Sequence, residues 1–254
     1  MEIKLLLLLF TNILFNVNSL NCFDGYSIKN KVCKKVPNKT IYLGPGGFTM
    51  PYTLGVCKFI KDNYDLSNYN FIGSSAGSWL AVYLASDINS ENIQQIIDNY
   101  SDKFENNNKN FLYKWHYTGD FLKDDYIRFI RNNAFIYNKK IKISVTRYKN
   151  YKLINEVLDD YINIDELFEL CKLSSYIPFL TGNRIPKYKN VITIDGFFTN
   201  INFEYDILIY FGTFGRKFTI REIIGISKIT ASEYFEEGYS DALKNKIKLN
   251  NMFS

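Results

Sequence analysis

A chain of 254 residues with a single histidine, His116, is poorly supplied with the usual imidazole base. Any serine nucleophile must use His116 or find another proton acceptor. Cysteine is sparse too, at four residues, and no spacing among Cys22, Cys33, Cys57 and Cys171 resembles a zinc site. The glycines nowhere fall as G-x-G-x-x-G, and no Walker lysine follows them, so the dinucleotide and P-loop readings fail. Beyond the first 19 residues no apolar run approaches the roughly 20 that span a bilayer. The formal net charge is only +5. Its short basic clusters, residues 29–35 and 139–149, read as solvated faces, so no nucleic-acid partner is expected, and a mild attraction to anionic lipid is compatible with them.

What the chain does have is apolar and aromatic mass, 46% and 17% of its residues, enough for one substantial α/β domain with a full core. The opening "MEIKLLLLLFTNILFNVNS" has one lysine, a short apolar core and a small residue, Ser19, near a plausible cut. Residues 1–19 therefore read as a secretory signal peptide or, if uncleaved, as an N-terminal anchor. The first reading implies a secreted or lumenal protein, and the second a membrane-associated one. Residues 20–39 form a short cysteine-containing segment in which a Cys22–Cys33 disulfide would suit an oxidising compartment. Cys57 and Cys171 fall in helical stretches, where they read as small buried hydrophobes.

From residue 40 to about 250 strands alternate with helices. "KTIYL" reads as a strand entering the tight loop Gly44-Pro45-Gly46-Gly47, and Pro51 stands at the first turn of the helix after it. "YNFIG" is the next strand and "AGSWLAVYLASDI" its helix. An asparagine-rich insertion, residues 89–110, carries the amphipathic "ENIQQIIDNY". "KIKISVTRYKN" then alternates like a half-buried strand. "NIDELFELCKLSS" opens with Asn163 and Glu166 in capping-box spacing, "NVITIDG" and "YDILIYFGTF" read as strands, and "SEYFEEGYSDALKNKI" as a closing helix. The pattern predicts an α/β sandwich with a mostly parallel central sheet.

The chemistry turns on Gly73-Ser74-Ser75-Ala76-Gly77. Between a strand and a helix this G-x-S-x-G is either an ordinary tight turn or a nucleophile elbow that exposes Ser75 beside the dipole and free N–H groups of a helix N-terminus. Two other features favour the elbow. Gly46 and Gly47 can bring backbone N–H groups close to a developing oxyanion, although Pro45 cannot donate. Asp195, at the end of the apolar strand "VITI", is a carboxylate that needs a partner and can serve as the base. A triad through His116 would run in the order Ser75, His116, Asp195, unlike the Ser, Asp, His order of α/β-hydrolases. A Ser75–Asp195 dyad is the economical alternative.

Glycine-rich loop, G-x-S-x-G and Asp-Gly in this order resemble the patatin-like phospholipase family. "GPGGFTMPYTLGV", "FIGSSAGSWLA", "LSSYIPFLTGNRIPKYKNVITIDGFFTN" and "EGYSDALK" carry the likeness, which is nearest to the adiponutrin-like branch. The resemblance implies a three-layer α/β/α fold, Ser75 as nucleophile, Asp195 as base and Gly46 and Gly47 as oxyanion-loop glycines. It implies a glycerolipid substrate, either phospholipid or acylglycerol, met at a membrane or lipid-droplet surface, with no cofactor and no metal. Pro45, Thr49, Met50 and Phe197 depart from the family pattern, at the first loop glycine, a commonly basic position, the last loop glycine and the residue after Asp-Gly. The alternatives are a transacylase built on the same dyad and a lipid-binding protein that has lost turnover.

Overall fold

The computed structural model describes residues 39–105, 111–132 and 134–254. The expected signal segment and the Cys22–Cys33 pair lie outside the described residues.

Short apolar strands build the sheet: β1 (Lys39–Leu43), β2 (Tyr69–Ser74), β3 (Ile141–Lys149), β4 (Lys152–Leu158), β5 (Lys187–Tyr188), β6 (Val191–Asp195) and β7 (Ile207–Ile209). The seven strands run in the order β5-β6-β3-β2-β1-β7, with β4 also pairing β3. The run β7-β1-β2-β3 is parallel, while β4, β5 and β6 pair antiparallel at the β3 side. Alternation sorts the faces. Ile41 and Leu43, Phe71, and Ile141, Ile143 and Val145 belong to the main core. On the opposite face Tyr42 packs against Phe203 and Tyr205, with ring centroids 5.0 and 5.4 Å away.

The helices are α1 (Met50–Asn63), α2 (Ala76–Ala85), α3 (Ser90–Tyr100), α4 (Phe111–Phe129), α5 (Ile164–Ser174), α6 (Ala231–Lys244) and α7 (Lys246–Phe253). Among the described residues there are also two one-turn α-helices, Ala134–Tyr137 and Ile220–Ile223, short 3-10 turns at Gly47–Thr49 and Gly196–Phe198, and a π-helical turn at Ser101–Glu105. Every residue of α2 from Ala76 to Leu84 is buried, as expected of a helix that is apolar on all sides. In α3 the buried Ile93, Ile96, Ile97 and Tyr100 follow helical spacing, and a capping box between Asn89 and Asn92 fixes its start. Asn163 caps α5 by accepting the Glu166 N–H at 2.8 Å. The Glu166 carboxylate returns to the Ile162 N–H at 3.0 Å, one residue before the cap.

Helices α1 and α6 pack backbone to backbone. A Cβ on Gly55 would sit 2.0 Å from the Phe235 carbonyl oxygen, and one on Gly238 would sit 1.9 Å from that of Tyr52. Only glycine at both positions allows this approach.

Two elements carry no clear sequence signal. α4 follows the polar insertion, and its core residues Trp115, Phe121, Leu122 and Tyr126 are interleaved with Lys114, His116, Gly119 and Asp120. β4 is the return strand of a hairpin whose turn residues Asn150 and Tyr151 both have positive φ, +49° and +62°. A two-residue hairpin turn needs that conformation and usually supplies Gly second. Tyr151 hides the turn from inspection.

Candidate active site

The sheet itself brings the expected pair together. β3 pairs β2 through residues 141–144, β4 through 143–149 and β6 through 145–147. Since β4 overlaps both of the others, it must occupy one edge of β3, and β2 and β6 share the other. β2 ends at Ser74 opposite Ser144, and the antiparallel β6 ends at Asp195 opposite Val145. Two strands thus run toward each other along one edge and stop at adjacent positions, with Ser75 just beyond one end and Asp195 at the other.

Ser75 Oγ donates a 2.7 Å hydrogen bond to Asp195 Oδ2. Both residues are buried. Asp195 Oδ1 accepts the Phe197 N–H at 2.8 Å, so each carboxylate oxygen has one donor. Burial pushes the carboxyl up to about 7, against the opposing pull of these two hydrogen bonds. A carboxylate poised near neutral pH can both take and return a proton.

The turn that presents Ser75 has φ +54° and ψ −129°, a conformation that non-glycine residues seldom hold without support. The support is visible. The Ser75 N–H donates to Ser174 Oγ at 2.8 Å, and Ser174 Oγ donates to the Ser144 carbonyl at 2.7 Å. The Ser75 carbonyl accepts from Ser78 Oγ at 2.6 Å and from Ser78 N–H at 2.9 Å. A Cβ on Gly77 would lie 2.0 Å from the Leu43 carbonyl oxygen, so glycine there lets the helix approach the end of β1. The Ser75 N–H is committed to Ser174. The N–H groups of Ala76 and Gly77, the first two of the helix, have no intrahelical acceptor.

A cavity of about 320 Å³ opens on Ser75, Ala76 and Gly47. Its walls include Met50 and Leu54 of α1, Trp79 of α2, Ile97 of α3, and Trp115 and Tyr126 of α4. This mostly apolar lining suits a hydrocarbon ligand, and the volume lies at the small end of the range for ligand sites. Polar residues at the cavity include His116, Asp120 and Lys172, the last two joined by a 2.8 Å ion pair.

The glycine loop lies beside the elbow. Gly47, with φ +52°, lines the cavity, while Gly46 is buried next to Thr49 and Phe211. Three of the four residues that depart from the family pattern, Thr49, Met50 and Phe197, have structural work here. Thr49 is fully buried, and its Oγ1 donates to the Gly46 carbonyl at 2.7 Å, which holds the loop closed without a charge. Met50 forms cavity wall, and Phe197 supplies the N–H that holds Asp195.

His116 also lines the cavity, but its Nδ1 is bonded to the Leu112 carbonyl at 2.8 Å, and Ser75 reaches Asp195 without an imidazole between them. Cys57 and Cys171 are buried free thiols, pushed up by burial. Among the described residues no cluster of His, Cys, Asp and Glu could hold a metal ion, and no helix is long and apolar enough to cross a membrane.

Sequence reasoning missed Ser174 and Ser144, whose roles depend on contacts 99 and 30 positions apart in the chain. The stretch "LSSYIP" was the only trace of the first. It also missed the α4 wall.

An α/β fold in which an elbow serine is hydrogen-bonded to a buried carboxylate at an apolar cavity has the form of a lipid acyl hydrolase. The family model for patatin-like phospholipase matches residues 42–227, well over half of the chain, and the protein belongs to that family. Lipid acyl hydrolysis in general, with lipid as the substrate, follows from membership. No curated protein and no solved structure matches the chain.

Proposed function

We propose that the protein hydrolyses carboxylic esters of glycerolipids, phospholipids or acylglycerols, through a Ser75–Asp195 dyad. The observation that carries this reading is the 2.7 Å hydrogen bond from Ser75 Oγ to Asp195 Oδ2 at an apolar cavity. Ser75 Oγ attacks the ester carbonyl carbon and its proton passes to Asp195 Oδ2. The oxyanion is met by N–H groups of the Gly46–Gly47 loop and of Ala76 at the start of α2. Collapse of the tetrahedral intermediate breaks the ester C–O bond, and the proton on Asp195 goes to the departing alcohol oxygen. Water then attacks the acyl-enzyme and gives a proton to Asp195. Release of the fatty acid returns that proton to Ser75 Oγ. No step calls for a cofactor or a metal.

The cavity takes the acyl chain and leaves the rest of the lipid toward its open side. This arrangement suits a substrate presented by a membrane or droplet surface. Removal of residues 1–19 would place the protein in the secretory pathway, as a peripheral visitor to such surfaces.

The test is labelling with a fluorophosphonate probe, followed by mass spectrometry of the modified peptide, on wild type, Ser75→Ala and Asp195→Asn. Labelling at Ser75 that both substitutions abolish is the expected result. A folded wild-type protein that takes no label would overturn the reading.

A further inference from the structure

The segment after β7 has two sides with different business. Its inner side is built against the glycine loop. A Cβ on Gly47 would lie 2.4 Å from the Ile223 carbonyl oxygen, and one on Gly225 would lie 2.8 Å from the Phe48 ring. Trp115 Nε1 donates to the Ile224 carbonyl at 3.2 Å, and the Trp115 and Phe48 rings meet edge to face at 4.9 Å. The segment is held in shape by its own contacts and by one tie to α6. Thr219 and Glu222 form a capping box, Arg216 pairs with Glu222 at 3.2 Å and Glu237 at 2.9 Å, and the Ile226 N–H donates to the Arg221 carbonyl at 2.7 Å.

Its outer side is apolar and basic. Ile220, Ile226 and Ile229 are 57%, 52% and 38% exposed, and Lys217, Arg221 and Lys228 are exposed in the same stretch. Among the described residues none of these three cations has an ion pair, whereas the one acid in the stretch, Glu222, is taken by Arg216 and the Thr219 cap. Isolated exposed isoleucines need no explanation. Three interleaved with unpaired cations, on a segment that props the catalytic loop, present the chemistry that anionic lipid surfaces select: apolar insertion with positive charge at headgroup level.

We propose that residues 217–229 dock the protein on an anionic lipid surface, and that docking steadies the Gly46–Phe48 loop through Ile223, Ile224 and Gly225. The partner is a negatively charged lipid surface, not a second copy of the chain. The coupling half of the proposal rests on the hydrolase reading, while the docking half does not.

The experiment is co-sedimentation of the full chain with vesicles of phosphatidylcholine alone and of phosphatidylcholine mixed with phosphatidylserine. Wild type is compared with Ile226→Glu and Lys228→Gln, and fluorophosphonate labelling of Ser75 is followed with and without vesicles. Wild type is expected on the mixed vesicles and in solution with phosphatidylcholine alone. Lys228→Gln should weaken partitioning about fivefold, the usual worth of one basic residue near such a surface, and Ile226→Glu should weaken it further. Both side chains lie outside the cavity, so labelling without vesicles should match wild type. Acceleration of labelling by mixed vesicles should be lost in Ile226→Glu.

Equal sedimentation of wild type and variants overturns the docking surface, as does a concentration-dependent dimer that Ile226→Glu dissolves. Vesicle binding with no change in labelling rate overturns the coupling. A protein that never labels but still binds mixed vesicles through Ile226 would refute the hydrolase reading and leave the docking surface standing.

Discussion

Ser75 and Asp195, 120 positions apart, meet because β2 and β6 end head to head on one edge of β3. Neither residue needs a long reach or a mobile loop to find the other. If Asp195 is the sole base, Asp195→Asn should slow ester hydrolysis by about 10²–10⁴-fold, the typical worth of general-base assistance. His116→Ala should change the rate by less than about tenfold, since its ring helps shape the cavity but sits outside the proton path. Steady-state kinetics on both variants decides the matter, and comparable losses would restore a triad.

The buried carboxyl makes activity and stability respond to pH in opposite directions. A base near pKa 7 is charged only above that value, so kcat/KM should rise through neutrality to a plateau. The folded protein holds the Asp195 proton more tightly than the unfolded chain, whose carboxyl titrates near 3.9. The stability this contributes is complete below about pH 4 and lost as pH rises through about 7. Asp195→Asn removes that dependence. Its Tm relative to wild type should therefore be higher at pH 8 than at pH 4, and thermal melts showing the same difference at both would contradict the raised pKa.

Ser174 is a positioning residue. With its hydroxyl removed, the buried Ser75 N–H and Ser144 carbonyl lose their link. An unsatisfied buried group costs about 1–3 kcal/mol, so Ser174→Ala should lower stability by that order. It should also lower kcat more than it raises KM, because the elbow relaxes while the cavity is untouched. Ser174→Thr, which keeps the hydroxyl, should recover kcat in part. A stability loss with unchanged kcat would reduce Ser174 to a core residue.

Gly47 offers a test of the loop. Its φ is +52°, and an alanine Cβ there would sit 2.4 Å from the Ile223 carbonyl oxygen, so Gly47→Ala must displace the loop. If its N–H meets the oxyanion, acylation should fall on the order of a hundredfold or more, with circular dichroism showing the fold retained. Unchanged pre-steady-state acylation would assign the oxyanion to Ala76 and its neighbours.

Most of the fold could be read from residues whose structural reasons are local. Alternation in "KIKISV", the glycine loop before Pro51 and the apolar "AGSWLAVYLA" each dictate their own element. The meeting of Ser75 with Asp195 could be anticipated because each sits in a short motif at a strand end. β4 was not, since the turn that starts it uses Tyr151 in place of glycine, and only pairing with β3 holds it. α4 was not, because its buried face shares a helix with a polar one after an insertion. Ser174 was invisible as a support, since a serine in a small-residue turn announces nothing about an amide brought to it by the strand order. The uncharged closure of the glycine loop by Thr49 likewise exists only in three dimensions.

The glycine contact between α1 and α6 bears on when the protein becomes an enzyme during its own synthesis. Helix α1 grows directly out of the glycine loop, and Gly55 and Gly238 let α6 lie against it at backbone distance. A nascent chain that has already made Ser75 and Asp195 still lacks the helix against which α1 is seated. Ser75 and Asp195 would then be translated early, and the glycine loop beside them would be seated only once α6 has been made.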